Sequence, residues 1–266
     1  MRIVVPMKTV PDLAEEIELM NDDKAIDHEQ LTFVVNEWDA QALEEALILK
    51  EETGASVTAV GLATDPEIDQ VLFVALAKGA DAAVKLVGDA TSPVQGPTAA
   101  ALRAGLLAGY LGVEPADLVL TGVQANDDLD GQLAPLLGAL LGLPHVSVVV
   151  SVRAEGAAVR ARQEFAGGRS HDLEVSLPAV IGVQSGRRPP RYAPISRVKQ
   201  AMSAGALSEL AAEAPPGAEG VPTLVVRRLR PPEQSGRAEM LAGGPGEVAD
   251  RIVALLRDRG LIKEAR

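Results

Sequence analysis

The sequence predicts an α/β fold: a doubly wound, mostly parallel sheet with helices on both faces, followed by a β-hairpin and an extended C-terminal arm that ends in a helix. Two observations lead to this prediction. Short apolar runs alternate with helical patterns along the first half of the chain, at the spacing of strand–helix–strand units. Aromatic residues make up only 2% of the chain, and its abundant small aliphatic residues suit close packing of helices on a sheet.

Five short apolar runs are typical of buried strands, and they cover residues 2–7, 56–62, 82–87, 118–120 and 146–150. Helical patterns with Gly or Pro near their ends separate the strands, and they cover residues 40–52, 65–78, 97–111 and 133–141.

The first two helices have recognisable beginnings. Asn36 or Asp39 is the expected N-cap of the first helix, and Glu44 and Glu45 are expected on its solvent-exposed face. Asp65, with the proline that follows it, is expected to begin the second helix.

The pattern changes after residue 151. Alternating segments at 158–165 and 171–177 flank a Gly-Gly turn and predict a β-hairpin, with a further strand at 178–183. Residues 204–221 have the composition of a linker or exposed arm. A strand at 223–229 and a helix at 245–259 are predicted beyond it.

Two domains follow from this pattern: residues 1–202 form the α/β domain with its hairpin, and residues 203–266 form the arm and its helix. The C-terminal helix leaves two alternatives open. It packs back on the sheet of its own chain, or it belongs to an arm that embraces a partner subunit.

The stretch 117–144 predicts a strand, a polar loop and a helix, and the other elements are arranged around it. A loop of this kind brings free backbone N–H groups to the carboxyl edge of a parallel sheet, which is a geometry that binds phosphate. Gly131 would allow an anion to approach closely. The alternative is an ordinary turn capped by Asp127, Asp128 or Asp130.

Ligands of such sheets bind where the carboxyl ends of the strands meet. The predicted edges of the pocket are therefore residues 6–9, 36–39, 62–65 and 122–132.

Composition excludes several functional classes. The net charge of −12 and the scarcity of aromatic residues argue against nucleic-acid binding. The chain has no cysteine, and its histidines (His28, His145 and His171) lack metal-ligand spacing, so no metal site is expected. Because the longest apolar runs are too short to span a bilayer, no membrane insertion is expected, and a cytoplasmic location is predicted.

Five stretches in this order resemble the beta subunit of an electron transfer flavoprotein. They are VVPMKTVPD at 4–12, VNEWDAQALEEALILK at 35–50, GVQANDDLDGQLAP at 122–135, the strand leading to PRY at 177–192, and PPEQSGR at 231–237. The resemblance covers nearly the whole chain, and its specificity comes from the combined order of the stretches.

The resemblance implies a heterodimer with an alpha subunit that holds most of a redox-active FAD. It implies AMP in this chain, or a second FAD in electron-bifurcating relatives. The heterodimer would carry electrons from dehydrogenases to a downstream oxidoreductase. Electron transfer of this kind needs cofactor distance and a docking surface rather than a catalytic acid or base from this chain.

The resemblance assigns nucleotide contacts to eight residues: Pro6, Asn36, Leu62, Gln124, Asp127, Gly131, Gln132 and Leu133. Family members that bind AMP have Asn and Thr at the positions of Gly131 and Leu133. The lost hydroxyl should weaken phosphate binding, and AMP is favoured only mildly over a second FAD.

Residues 192–202 resemble the segment with which the family recognises its partners, and Ile195 and Val198 are the candidate contacts. One exposed aliphatic side chain can anchor a short-lived encounter. The alternative is that both residues cover the core. Arg162 and Glu164 in the hairpin either approach the FAD or remain solvated.

Two other functions occur on an α/β architecture of this kind. A universal-stress-type adenine-nucleotide-binding regulatory protein shares this architecture, but it is shorter, lacks the hairpin and usually has a Gly-x-x-Gly phosphate loop. A nucleotide-dependent hydrolase or ligase would need a basic phosphate clamp, whereas residues 124–132 are acidic.

Overall fold

The structure is a computed structural model, and it describes residues 1–14, 17–27, 31–87, 99–128, 131–211, 213, 227–231 and 238–262. The chain divides into two compact units, Met1–Leu229 and Arg230–Arg266. In chain order the strands are β1 (Arg2–Pro6), β2 (Thr9–Pro11), β3 (Phe33–Val35), β4 (Ser56–Leu62), β5 (Ala82–Val87), β6 (Leu118–Gly122), β7 (His145–Glu155), β8 (Ala158–Phe165), β9 (Arg169–Ser176), β10 (Ala179–Val183) and β11 (Leu207–Ala211). The helices are α1 (Glu37–Thr53), α2 (Ile68–Lys78), α3 (Ala99–Val113), α4 (Leu133–Leu141), α5 (Ile195–Ser203) and α6 (Pro245–Asp258).

The first unit is built on a nine-stranded sheet with the order β11-β5-β4-β1-β6-β10-β7-β8-β9. Neighbouring strands from β11 through β7 run parallel, and β8 and β9 continue the sheet antiparallel. The chain moves outward from β1 to β4 and β5, and then returns to place β6 on the other side of β1. The switch point of this doubly wound sheet therefore lies between β1 and β6.

Helices cover both faces of the sheet, and the predicted fold class is confirmed. Alternate residues of β1 point to opposite faces: Ile3 and Val5 pack with α1 and α2, whereas Val4 packs with α3 and α4. The strands predicted at 56–62 and 82–87 and the helix predicted at 133–141 have the bounds that the apolar runs indicated.

Helix α1 begins three residues earlier than predicted, after Asn36 as its N-cap. It ends at Gly54, whose φ of 71° places it in the left-handed region that glycine tolerates. The expectation for its solvent face was wrong for two residues, because Glu44 and Glu45 are buried. Arginines from the segment after β10 cover both carboxylates.

Helix α2 begins at Ile68, three residues after the predicted start at Asp65. Asp65 does not cap the helix, since both of its carboxylate oxygens accept hydrogen bonds from Arg103 of α3. Asp65 thus forms a long-range ion pair instead of the helix cap that the local sequence predicted. Helix α3 is described from Ala99, so the predicted start at Pro97 lies outside the described residues.

The predicted hairpin is confirmed, and it is longer than expected. Strands β7, β8 and β9 pair antiparallel, with Arg162 opposite Asp172. A second, two-stranded sheet pairs β2 with β3 antiparallel. The two strands flank a long polar segment, and of the two only β3, with the sequence FVV, has a strand-like sequence.

Residues 207–211 form an edge strand, which contradicts the prediction of a linker across 204–221. Strand β11 pairs parallel with β5, and Lys85 Nζ of β5 lies 2.7 Å from Glu209 Oε1. The strand predicted at 223–229 lies outside the described residues up to Val226, and residues 227–229 are not in a strand. Because β11 joins the large sheet, it belongs to the first compact unit.

The second unit contains α6, which lies within one residue of the predicted range. Glu247 Oε2 accepts a hydrogen bond from the backbone N–H of Gly244 and thereby secures the first turn. Its apolar residues Ile252 and Leu255 are exposed. Among the described helices of the whole chain, none combines the length and apolar character needed to cross a membrane.

Candidate functional site

A cleft with an empty volume of about 390 Å³ opens where the carboxyl ends of β1 and β6 meet. The switch point therefore carries a pocket, as the strand pattern predicted. Its lining includes six of the residues assigned to a nucleotide, namely Pro6, Asn36, Gln124, Gly131, Gln132 and Leu133. Asp127 lies next to the cleft through its contact with Lys8. Leu62 does not line the cleft, and it is buried in the core with an exposed fraction of 1%.

Asp39 joins the three elements that form the floor of the cleft. Its Oδ2 accepts the backbone N–H of Lys8, just after β1, at 2.9 Å. Its Oδ1 accepts the backbone N–H of Gly122, at the end of β6, at 3.2 Å. Asp39 itself lies in the first turn of α1. One buried carboxylate therefore fixes the distance between β1, β6 and α1.

Gly122 is required by this close approach. A Cβ at residue 122 would lie 2.4 Å from Asp39 Oδ1 and 2.9 Å from the carbonyl carbon of Trp38. The space for a side chain is taken by the backbone of α1, which is part of a buried helix and has no room to withdraw.

Lys8 holds the polar loop after β6 in place. Its Nζ lies 2.5 and 2.7 Å from the two carboxylate oxygens of Asp127, and 3.7 Å from Asp128 Oδ2. Lys8 is buried, with 4% of its surface exposed. The positive charge of Lys8 is therefore already paired with the carboxylates of the loop. The next two loop residues, Leu129 and Asp130, lie outside the described residues.

Asn36 lines the cleft and carries a buried hydrogen-bond acceptor that has no donor among the described residues. Its Nδ2 donates to the backbone carbonyl of Gln124 at 2.9 Å. A carbonyl oxygen only accepts, so this contact fixes which end of the Asn36 amide faces the loop. The other end, Oδ1, is buried, and no group among the described residues donates to it. A buried acceptor without a donor is costly, and a ligand that supplies an N–H or O–H would satisfy it.

The N-terminus of α4 points its backbone N–H groups toward the cleft. Gln132 is the N-cap and Leu133 is the first helical residue, and the N–H groups of a first turn have no partner within their helix. Gly131 precedes them with a φ of 61°. A Cβ at residue 131 would lie 3.0 Å from the carbonyl oxygen of Val123. This arrangement is suited to an anion.

Arg103 of α3 completes the wall of the cleft, and sequence reasoning missed it. Its guanidinium donates to both oxygens of Asp65 at 2.9 and 2.7 Å, and both side chains are almost fully buried. The two residues lie 38 positions apart in the chain, on a helix and in a loop. No local pattern connects them, so only the fold reveals the pair.

Comparison with known proteins agrees with this architecture. Residues 24–215 match the family model described as "Electron transfer flavoprotein domain", which is well over half of the chain. The chain belongs to the electron transfer flavoprotein family. Its family therefore assigns it a role in electron transfer by flavoproteins, and the family resemblance predicted from sequence is confirmed.

Similarity to individual members of the electron transfer flavoprotein family extends over the full length. The chain is 31% identical to the "Electron transfer flavoprotein subunit beta" of Methylophilus methylotrophus, over 97% of this chain and 98% of that protein. It is 30% identical to the protein of the same name from Clostridium acetobutylicum, over 98% of this chain and all of that protein. It is also 30% identical to the "Caffeyl-CoA reductase-Etf complex subunit CarD" of Acetobacterium woodii, again over 98% and 100%.

Two carboxylates at the cleft of this member of the electron transfer flavoprotein family have raised pKa values. Burial raises the pKa of Asp39 to about 7, against the lowering effect of Lys8 and its backbone N–H. Burial also raises the pKa of Asp128, where Lys8 lowers it and the neighbouring Asp127 raises it further. Asp39 therefore changes its charge near neutral pH, directly beneath the cleft.

This titration gives a prediction for stability. Asp39 has a pKa of 3.8 as a model group and about 7 when folded. Its contribution to the free energy of unfolding is therefore complete below pH 3.8, declines as the pH rises toward 7, and is gone above that. In Asp39→Asn, one amide oxygen replaces two acceptors, and the charge cannot change. We expect the destabilisation by Asp39→Asn to be larger at pH 5 than at pH 8, by roughly 2 kcal/mol.

Urea unfolding of both proteins at the two pH values measures this difference. Asp22→Asn, which removes an exposed carboxylate far from the cleft, controls for the loss of charge as such. A destabilisation by Asp39→Asn that is equal at pH 5 and pH 8 would contradict the assignment.

The residues predicted to meet partners lie in α5, and the structure separates them. Ile195 is the first residue of the helix and is 65% exposed, whereas Val198 is buried against the first unit. Val198 thus packs in the interior and does not contribute to the exposed surface of α5. In the hairpin, Arg162 is engaged with Asp172 by two hydrogen bonds of 2.8 and 2.9 Å, and Glu164 is exposed.

Within the described part of the chain, no group of three or more His, Asp or Glu side chains could hold a metal ion. His145 and His171 lie in different strands, and His28 is outside the described residues.

Proposed function

We propose that this chain is the beta subunit of a heterodimeric electron transfer flavoprotein, with an alpha subunit that holds most of the FAD. The proposal rests on family membership and on full-length similarity to proteins named as beta subunits. The heterodimer carries electrons from dehydrogenases to a downstream oxidoreductase. This chain supplies no catalytic acid or base; it binds a nucleotide and offers surfaces to other proteins.

The nucleotide-binding part of the proposal depends on one observation, the open acceptor of Asn36 in a cleft at the switch point. An adenine amino group or a ribose hydroxyl would donate to Asn36 Oδ1, which has no donor among the described residues. The backbone near Pro6 would border the same nucleoside. Its phosphate would lie at the N–H groups of Gln132 and Leu133, at the positive end of α4.

We propose that the nucleotide is AMP rather than a second FAD. A dinucleotide would bring a pyrophosphate with two charged phosphates into the cleft. The cations that line it are already engaged, Lys8 by Asp127 and Arg103 by Asp65. A single phosphate at a helix N-terminus makes the smaller demand on positive charge.

Partner recognition is proposed for α5. Ile195 is 65% exposed, and Tyr192, just before the helix, is 77% exposed. A small apolar anchor of this kind suits weak, short-lived encounters between redox proteins. The exposed apolar side chains of α6 are proposed to meet the alpha subunit, and the cytoplasmic location stays a prediction. Family membership favours the carrier function over the universal-stress-type alternative.

Quantification of bound nucleotides tests the proposal. The chain is co-expressed with the alpha-type subunit from the same organism, and nucleotides are released by acid from the purified complex. One FAD and one AMP per heterodimer are expected. Two FAD and no AMP would show a bifurcating type, whereas absence of both flavin and partner would contradict the proposal.

A variant localises the AMP to this cleft. Asn36→Leu is expected to lose the AMP and to retain the FAD, because the change removes both the open acceptor and the contact with Gln124. Asn21→Leu, at an exposed position, makes the same chemical change and is expected to retain both cofactors.

A further inference from the structure

The face of α1 that was expected to be solvated binds a short segment of the chain. We call residues 186–191 the strap; it follows β10 and leads toward α5. Glu45 is fully buried and Glu44 is 3% exposed. Both carboxylates are covered by the strap, so the strap and the acidic face of α1 are matched surfaces.

Side chains of α1 bind the backbone of the strap directly. Glu44 Oε2 accepts the N–H of Arg191 at 2.9 Å. Glu45 Oε2 accepts the N–H of Arg187 at 3.0 Å. Gln41 Oε1 accepts the N–H of Gly186 at 3.0 Å. These contacts set the conformation of the strap in the way that a neighbouring strand would set it in a sheet.

The arginine side chains of the strap add a second row of contacts on α1. Arg191 donates to Glu44 and, from Nη1, to Glu51 Oε1 at 2.7 Å. Arg187 does the same with Glu45 and, at 2.6 Å, with Glu52 Oε1. Residues seven positions apart share a helix face. Each arginine therefore lies along α1 over about two turns.

The rest of the strap is stiff by composition. Pro189 and Pro190 lie between the two clamped arginines, and each proline fixes its own φ and has no N–H to satisfy. Immediately after Arg191 come the exposed Tyr192 and then Ile195 at the start of α5. The strap thus leads directly into the segment that carries these apolar side chains.

We propose that the acidic face of α1 is a template that positions α5 for redox partners, with Glu44 and Glu45 as positioning residues that touch no partner themselves. This rests on the proposed function, in which α5 contacts those partners. Buried ion pairs contribute little net stability compared with apolar packing, and their best use is to specify one geometry. A pre-set anchor avoids the ordering cost that would otherwise weaken each encounter.

Glu44 is ionised at neutral pH, as the template requires. Burial by itself would raise the pKa of Glu44, but the guanidinium and backbone N–H of Arg191 lower it, and the net shift is downward. Lys78 lies near the same carboxylate and also favours its charged form.

The test compares Glu44→Gln with Glu51→Gln in the co-expressed heterodimer. Both variants remove one carboxylate that binds Arg191, but Glu51 is 49% exposed at its side chain. The probe is a dehydrogenase from the same organism that reduces the heterodimer. For Glu44→Gln we expect KM for the heterodimer to rise about tenfold with kcat within about twofold, from the lost preorganisation. Glu51→Gln is expected to change KM by less than about twofold, as exposed pairs contribute little.

A double-mutant cycle with Ile195→Ala separates positioning from general damage. If the template acts through α5, Glu44→Gln adds little to the KM of Ile195→Ala. An equal rise of KM in both backgrounds, or an unchanged KM for Glu44→Gln in a folded heterodimer, would overturn the template. If Ile195→Ala alone leaves KM unchanged, the docking role of α5 fails and the template fails with it.

Two further measurements guard against trivial outcomes. Reduction of the bound FAD by a small chemical reductant should be unaffected in all variants, because it needs no docking. If Glu44→Gln does not fold, Arg191→Lys retains the positive charge and loses the paired hydrogen bonds. It is then expected to raise KM in the same direction, and an unchanged KM would overturn the proposal.

Discussion

Replacement of Gly122 by alanine is expected to destabilise the protein by about 3 kcal/mol and to abolish nucleotide binding. The added Cβ would lie 2.4 Å from Asp39 Oδ1 and 2.9 Å from the backbone nitrogen of Asp39. Backbone atoms cannot turn aside as a flexible side chain can, so β6 and α1 must separate. Their separation breaks the hydrogen bond between the N–H of Gly122 and Asp39, which sets the floor of the cleft.

Gly112→Ala is the matched control for this prediction. Gly112 lies near the end of α3, and a Cβ there meets nothing within 4 Å. In a helix, alanine is favoured over glycine by up to about 1 kcal/mol, so this variant is expected to be neutral or slightly more stable. Urea unfolding and AMP content are measured on the co-expressed heterodimer. Equal stability and equal AMP content in the two variants would refute the steric argument.

Arg103→Leu is expected to cost about 3–5 kcal/mol, because it leaves a buried carboxylate without its counter-charge. The side chain of Asp65 is only 1% exposed, so water cannot replace the guanidinium. Because Arg103 lines the cleft, AMP content should fall as well.

Removal of both partners provides the decisive comparison. The double variant Arg103→Leu with Asp65→Leu is expected to recover a large part of the lost stability, since the carboxylate that Arg103→Leu leaves unpaired is removed with its partner. Arg160→Leu breaks an exposed pair between Arg160 of β8 and Glu155 of β7 and is expected to be close to neutral. A double variant that is less stable than Arg103→Leu alone would contradict the charge-burial explanation.

Local sequence was sufficient wherever an element is defined by burial on both sides. Residues 56–62 and 82–87 are mostly apolar runs inside a parallel sheet. The helix at 133–141 has a clear apolar face and a glycine C-cap. Such elements carry their own pattern, because most of their side chains pack against apolar neighbours.

Elements defined by distant charges could not be predicted. The strand LSELA at 207–211 is mostly exposed at the edge of the sheet, and it is held by parallel pairing with β5 and by Lys85. Glu44 and Glu45 have the sequence of a solvated helix face, and only the arrival of Arg187 and Arg191 buries them. In each case the deciding partner lies far away in the chain.

The features of the candidate site also separate into those that local sequence predicted and those that it could not predict. Three of the four predicted edges of the site, residues 6–9, 36–39 and 122–132, follow from the rule that ligands lie at the carboxyl ends of parallel strands, whereas no residue of 62–65 lines the cleft. Pro6, Asn36 and Gly131 therefore appeared at the cleft as expected. The hydrogen bonds of Asp39 connect three elements at once, and the pair of Arg103 with Asp65 connects a helix with a distant loop. Neither could be predicted without the folded structure.

The position of β1 in the sheet has a consequence for how the protein is made. Strand β1 lies near the middle of the sheet, where Ile3 pairs with Val57 on one side and with Leu118 on the other, and both partners come later in the chain. Neither neighbour exists when β1 emerges, and pairing between such distant segments is slow because long loops must close first. An apolar strand must therefore wait for its partners during synthesis, and chaperones that shield nascent chains are expected to matter more for this chain than for proteins whose central strands pair with neighbours close in sequence.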